Sequence, residues 1–377
     1  MPAGTGLSGG ARPRLAVLAG AAAGACAARG AYALLRWCPP GGEQTWARTN
    51  HRGEPVTLLE GPAVAVGAVA GEAVTAALAG RAALAVAAAP AVTAGLAGRT
   101  GLQPTTVAGL GALGFGVIDD LRGSGQRRGL RGHLGALAHG EVTTGTVKLA
   151  GLAATGLGAA RLDGAGPVDL VVNAGLIAGG ANLLNLFDLR PGRAIKVAAL
   201  SASLIAAGGV LHSGATPATM RLAGLAAVAA PAGAALALLP EDLGERAMLG
   251  DAGANALGAL LGAAAARSLP RTARAGLLAG VIALTVASEK VSFTRVIASA
   301  PPLHWLDMLG RRPAPSTAQA QNGGVDTPAV TNWTDAAWRT RWRRRPGRHR
   351  REAARVNCSR SVAWVSGWLK TPAPPDQ

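Results

Sequence analysis

Long apolar stretches and short charged loops alternate along most of the chain. The apolar stretches cover residues 13–35, 62–80, 104–118, 146–160, 168–187, 197–212, 221–239, 252–266 and 273–289. Each has a helical length, and together they predict an all-α polytopic membrane protein. A further stretch, 82–98 between Arg81 and Arg99, reads as another span, a re-entrant piece or an extension of the preceding helix. The expected total is about 9–11 transmembrane helices, in a multi-span domain over residues 1–312. Residues 1–30 do not read as a cleaved signal peptide, because the apolar stretch is long and no small-x-small site with a soluble domain follows it.

Composition sharpens this picture. Of 377 residues, 49% are hydrophobic and only 15% charged, against roughly 25% charged in an ordinary soluble domain. That apolar content excludes disorder for most of the chain. The three cysteines, Cys26, Cys38 and Cys358, show neither metal-ligand spacing nor a disulfide framework. The 54 glycines would weaken soluble helices, but in lipid small residues let helix backbones approach closely.

The net charge of +17 is unevenly placed. Loops 36–61, 119–145, 188–196, 240–250 and 290–312, with the flanking Lys148, carry sixteen Lys and Arg; the opposite ends carry seven. The positive-inside rule makes the first set cytoplasmic. Residues 313–377 differ again, with eleven Lys and Arg and five of the eight tryptophans. This basic, Trp- and Arg-rich segment reads as a disordered, solvated tail, and no nucleic-acid partner is expected.

In a body poor in acid, acidic residues at helix ends are candidate functional groups. Three motifs carry them: Gly116-Val-Ile-Asp119-Asp120, Asn182-Leu-Leu-Asn185-Leu-Phe-Asp188 and Leu249-Gly250-Asp251-Ala-Gly253-Ala-Asn255. An even number of spans separates them, so all should lie at one membrane face. The three-residue step puts Asn182, Asn185 and Asp188 on one side of a helix. Carboxylates gathered there suit Mg²⁺, a hard cation that shares its shell with substrate phosphates. Adjacent Asp119 and Asp120 should repel each other, raising the pKa of one of them toward that of a proton acceptor. Arg127, Arg128 and Arg131 follow the Asp pair, while Arg190, Arg193 and Lys196 follow Asp188; such groups suit a diphosphate.

These motifs resemble those of the polyprenyl-phosphate sugar-1-phosphate transferases (glycosyltransferase family 4). That superfamily includes phospho-N-acetylmuramoyl-pentapeptide transferase and the N-acetylglucosamine-1-phosphate transferases. The resemblance covers approximately residues 45–310, and Arg48-Thr-Asn50-His-Arg52-Gly53 looks like the family's first cytoplasmic loop. It implies transfer of a sugar phosphate from a UDP-sugar to a polyprenyl phosphate with Mg²⁺, releasing UMP at the cytoplasmic face of the cell membrane during cell-envelope glycan synthesis. By motif position, Asp251 would ligate the metal with Asp120. Asp119, Asp120 and Asp188 would serve catalysis, Asp119 as base or metal-side carboxylate. Asn50, Arg52, Arg128, Arg131, Asn182, Asn185, Arg193 and His304 would bind substrate. The resemblance allows a homodimer.

Two departures stand out. Pro191 replaces the second Asp of the family's Asp-Gly-x-Asp-Gly, and the late loop keeps one His, His304, where the family often has a cluster. They motivate an alternative, a catalytically impaired relative acting as a membrane scaffold. A transporter is the other alternative, but the sequence has no clear internal repeat and its carboxylates sit at helix ends.

Overall fold

The computed structural model describes residues 11–86, 103–122, 135, 139, 141–211 and 218–313. The protein is an all-α, polytopic membrane protein. Its helices are α1 (Ala11–Trp37), α2 (Glu43–Trp46), α3 (Glu60–Val86), α4 (Pro104–Arg122), α5 (Thr144–Leu162), α6 (Pro167–Phe187), α7 (Arg193–Leu211), α8 (Ala218–Leu243), α9 (Gly250–Ser268), α10 (Arg271–Ser288), α11 (Phe293–Ser299) and α12 (Pro301–Met308).

Each of the nine apolar stretches falls on one of the long helices. Among the described residues, four segments are long and apolar enough to cross a membrane: Val17–Trp37, Glu60–Leu78, Pro167–Phe187 and Arg193–Leu211. A fifth is reached if α10 and α11, bent by 98°, count as one broken span. Of the ambiguous stretch 82–98, residues 82–86 continue α3, and the rest lies outside the described residues.

Helix α9 is the axis of the bundle. It packs against α3, α4, α6, α7 and α8, and every residue from Ala252 to Ala265 is buried. The close packing follows from residue size. A Cβ built at Gly258 would overlap the Gly180 carbonyl oxygen of α6, and one at Gly116 of α4 would overlap the Asp251 carbonyl oxygen. Helices can approach this closely only where no side chain stands between them.

A small antiparallel hairpin interrupts the helices. Strand β1 (Ala47–Thr49) pairs with β2 (Pro55–Thr57), with Arg48 opposite Val56. Thr57 also bridges in parallel to Ala247, which ties the hairpin to the segment leading into α9. The described residues fall into two units, those within 1–36 and 46–311, and those within 37–45 and 312–313. The tail expected over 313–377 lies outside the described residues except for Pro313.

Candidate active site at the start of α9

The N-terminus of α9 has no capping side chain of its own. Leu249 occupies the cap position and makes no side-chain cap hydrogen bond. By contrast α5 starts in the usual way, with Thr143 accepting from the Thr146 N–H. At α9 the acceptor comes from another helix. Asp120, near the end of α4, accepts from Asp251 N–H through Oδ1 (3.0 Å) and from Ala252 N–H through Oδ2 (2.8 Å). A carboxylate here satisfies two orphan donors and complements the positive end of the helix dipole. Gly250 makes the turn possible: its φ of +60° suits glycine, and a Cβ would lie 3.0 Å from both Asp120 carboxylate oxygens.

The neighbouring acids close around a lysine. Lys148, in the second turn of α5, places its ammonium 2.8 Å from Asp119 Oδ2, and it also donates to Asp251 Oδ2. Three helices therefore contribute one charged group each to a half-closed triad. Asp188, at the end of α6, joins them by accepting from the Gly250 N–H. Its Oδ2 is buried with no hydrogen-bond partner among the described residues. Burial, and then the negative charges of Asp242, Asp251 and Asp120, push the Asp188 carboxyl well above the usual carboxylate range.

The hairpin loop forms a second tier. Asn50 Oδ1 accepts from the N–H groups of Arg52 (2.8 Å) and Glu54 (2.9 Å), while its Nδ2 donates to Glu245 Oε2 at 2.7 Å. Arg52 Nε lies 2.9 Å from Glu245 Oε1, so Asn50 and Arg52 converge on one buried glutamate in the loop before Asp251. Arg48 donates to the main-chain oxygens of Asp120 and Ala47. The first loop thus braces the segments that carry Asp120 and Asp251.

The other expected residues are placed differently. Asn182 and Asn185 are half-buried on α6, leading to Asp188. Arg193 is buried and engaged internally: Nε and Nη2 pair with Asp307 at 2.7 and 3.0 Å, and Nη1 donates to Thr294 at 3.0 Å. It fastens α11 and α12 to the start of α7, with its donors turned to protein acceptors. Lys196 adds bonds to the carbonyl oxygens of Leu306 and Asp307, and Phe187 stacks on Phe293 with ring centroids 4.9 Å apart. His304 is exposed on α12. Arg128 and Arg131 lie outside the described residues.

Several groups here have no assigned role in the sequence reading. Lys148 registered only as a flanking charge, although an isolated lysine one turn inside an apolar helix is itself a signal. Glu245 and Asp307 lie outside the three motifs. Glu60, Asp242 and Asn255 are buried with polar side-chain atoms that lack hydrogen-bond partners among the described residues.

Asp119, Asp251 and the orphaned Asp188 oxygen are hard oxygen donors of the kind Mg²⁺ takes, but they do not form a group fit for the ion that the resemblance implies. The arrangement is that of a site closed around an ammonium. Among the described residues, no three His, Cys, Asp or Glu side chains are grouped to hold a metal ion. Compared with protein-family profiles and with curated proteins, the chain matches none.

Proposed function

We propose that the protein transfers a sugar-1-phosphate from a UDP-sugar to a polyprenyl phosphate at the cytoplasmic membrane face, releasing UMP. The observation that carries this reading is the meeting of Asp119, Asp120, Asp188 and Asp251 around the start of α9. These acids come from three separate motifs of the sequence, and each motif resembles one of the transferase family. In this reading Asp251 would hold Mg²⁺, as the resemblance implies, whereas both oxygens of Asp120, its expected partner, are taken by the α9 backbone. When bound, the ion would offset charge developing on the UMP leaving group.

The chain's own residues divide the remaining work. Asp120 fixes the start of α9 and so sets where Asp251 points. Asp188, with its raised pKa, is suited to hold a proton beside the reacting phosphates. Asn182 and Asn185, on the same helix, would meet the nucleotide-sugar. Asn50, Arg52 and Glu245 hold the first loop against this site. Arg193 secures α12 through Asp307. Positioning and electrostatics dominate phosphoryl transfer, which suits a site built from anchored helix ends.

The test is UMP release by membranes containing the full chain, supplied with UDP-N-acetyl sugars, polyprenyl phosphate and Mg²⁺. Asp251→Asn should lower the rate by at least about a hundredfold while the protein stays folded. Equal turnover in that variant would overturn the assignment of Asp251. Pro191, together with an ammonium inside the acidic site, favours the scaffold reading as the second possibility. Absence of UMP release from every UDP-amino sugar would select it.

A further inference from the structure

We propose that α11 and α12 form a foot that lies in the headgroup layer of the bilayer, level with the end of α6 and the start of α7. Its apolar side chains rest against lipid and its basic side chains against anionic headgroups. The inference rests on the membrane fold alone and does not depend on the transferase reading.

The anchors fix where the foot lies. Phe187 closes one membrane-spanning candidate and Arg193 opens the next, so both stand at one boundary of the bilayer. Phe293, the first residue of α11, stacks on Phe187. Thr294 accepts from Arg193, and Asp307, near the end of α12, pairs with the same guanidinium. Lys196, one turn into α7, holds the carbonyl oxygens of Leu306 and Asp307. Both ends of the segment are therefore tied to the same boundary. The chain turns by 98° between α10 and α11, so α11 leaves the direction of α10. With 7 and 8 residues, α11 and α12 are each roughly 10–12 Å long, too short to cross. A path pinned at both ends in this way runs along the membrane plane.

What the foot exposes is apolar and basic. Val296, Leu303, Trp305, Leu306 and Leu309 are exposed, Trp305 at 66%. Ile282, Leu284 and Val286 of α10 are exposed as well, so uncovered apolar surface begins on α10 and runs along the chain through Val291 into both helices. Surface of this extent marks a contact with something apolar. From Lys290 to Gly310 the sequence has one acid, Asp307, which is buried in its arginine pairs. The exposed charges of that stretch, Lys290 and Arg295, are both positive. A tryptophan among aliphatic side chains, with lysine and arginine nearby, suits a layer that is oily on one side and wet on the other. The two cations add a preference for negative lipid.

The experiment uses the full chain in nanodiscs, without sugar nucleotide, and reads Trp305 as the emission lost on Trp305→Phe, a change at an exposed position. Phosphatidylcholine brominated near the headgroup should quench that emission at least about twofold more than phosphatidylcholine brominated near the chain end, and aqueous iodide should quench it little. Phosphatidylglycerol with the same shallow bromine, at equal mole fraction, should quench it about twofold more than the phosphatidylcholine. Lys290→Gln combined with Arg295→Gln should remove that preference. Strong quenching by iodide would place α12 in water, and stronger quenching by the deep bromine would place it inside the bilayer as a re-entrant piece. Quenching by none of them would mean that protein, such as a second copy of this chain, covers Trp305. Each of these results overturns the proposal. Equal quenching by the two headgroups in the wild type overturns the choice of anionic lipid, as does a preference that survives the double variant. Should the double variant fail to fold, the wild-type comparisons decide the matter. Turnover enters none of these readings, so a chain that releases no UMP would lose the transferase reading and keep this one.

Discussion

Two aspartates anchor the residue scale. Asp120 caps a helix whose own cap position is a leucine, and both its oxygens are used. Asp120→Asn keeps the shape but turns a donor toward backbone N–H groups, so it should destabilise the protein by about 1–2 kcal/mol in thermal unfolding. Asp307 is the buried partner of Arg193 and also accepts from Arg311 at 2.8 Å. Burial alone would raise its pKa, but the hydrogen bonds and charge of Arg193, with Arg311 and Lys196, outweigh it and hold the carboxyl below its ordinary value. A depressed folded-state pKa contributes stability above the unfolded value and loses it as pH falls through the folded one. Asp307→Asn should therefore cost about 3 kcal/mol. The gap in unfolding midpoint between that variant and wild type should stay constant from about pH 5 to 8 and close as pH falls below about 4. A gap that widened in acid would contradict the pairing. The sequence placed Arg193 beside the candidate site from its spacing alone. Its internal partner lies 114 residues away in the chain, so no local pattern could disclose that its donors are used.

At the scale of elements, the helix pairs α6–α9 and α4–α9 decide whether the site exists. Their glycines are spacers: where Gly258 meets Gly180, main chain faces main chain without intervening side chains. Gly258→Leu should force α9 away from α6, lowering stability by roughly 1–3 kcal/mol and separating Asp188 from Gly250. Thermal unfolding would register the loss of stability; an unchanged midpoint would show that the two helices are not in backbone contact. The helical character of these segments was readable from apolar run length, and the nine long helices among the described residues each coincide with an apolar stretch. Their pairing was not readable, because glycine in this chain is too common to mark which positions are contacts. The hairpin at Ala47–Thr57 is also invisible to periodicity. Its strands are three residues long, and it is held by Glu245 and Ala247 from a distant loop.

At the scale of the whole molecule, the alternation of helices places residue 162 and residue 189 at opposite ends of α6. Both Leu162 and Leu189 are exposed. Cysteines introduced there should react with a membrane-impermeant thiol reagent from opposite sides, with Leu189→Cys on the inner side beside Asp188. Labelling of both from one side would remove the topology on which the transferase reading depends.

The sequence by itself determined that the chain is a bundle of apolar helices with acids at their ends, because lipid demands helices and leaves ionisable groups only where function or an interface tolerates them. Side-chain spacing also set which acids share a helix. Only the tertiary structure decided who neutralises whom. Lys148 between Asp119 and Asp251, Asp120 on the α9 backbone, and Arg193 on Asp307 are all pairings across more than 25 residues of chain. Such pairings depend on helix rotation and on approach distances of a few ångströms, which one-dimensional spacing does not encode.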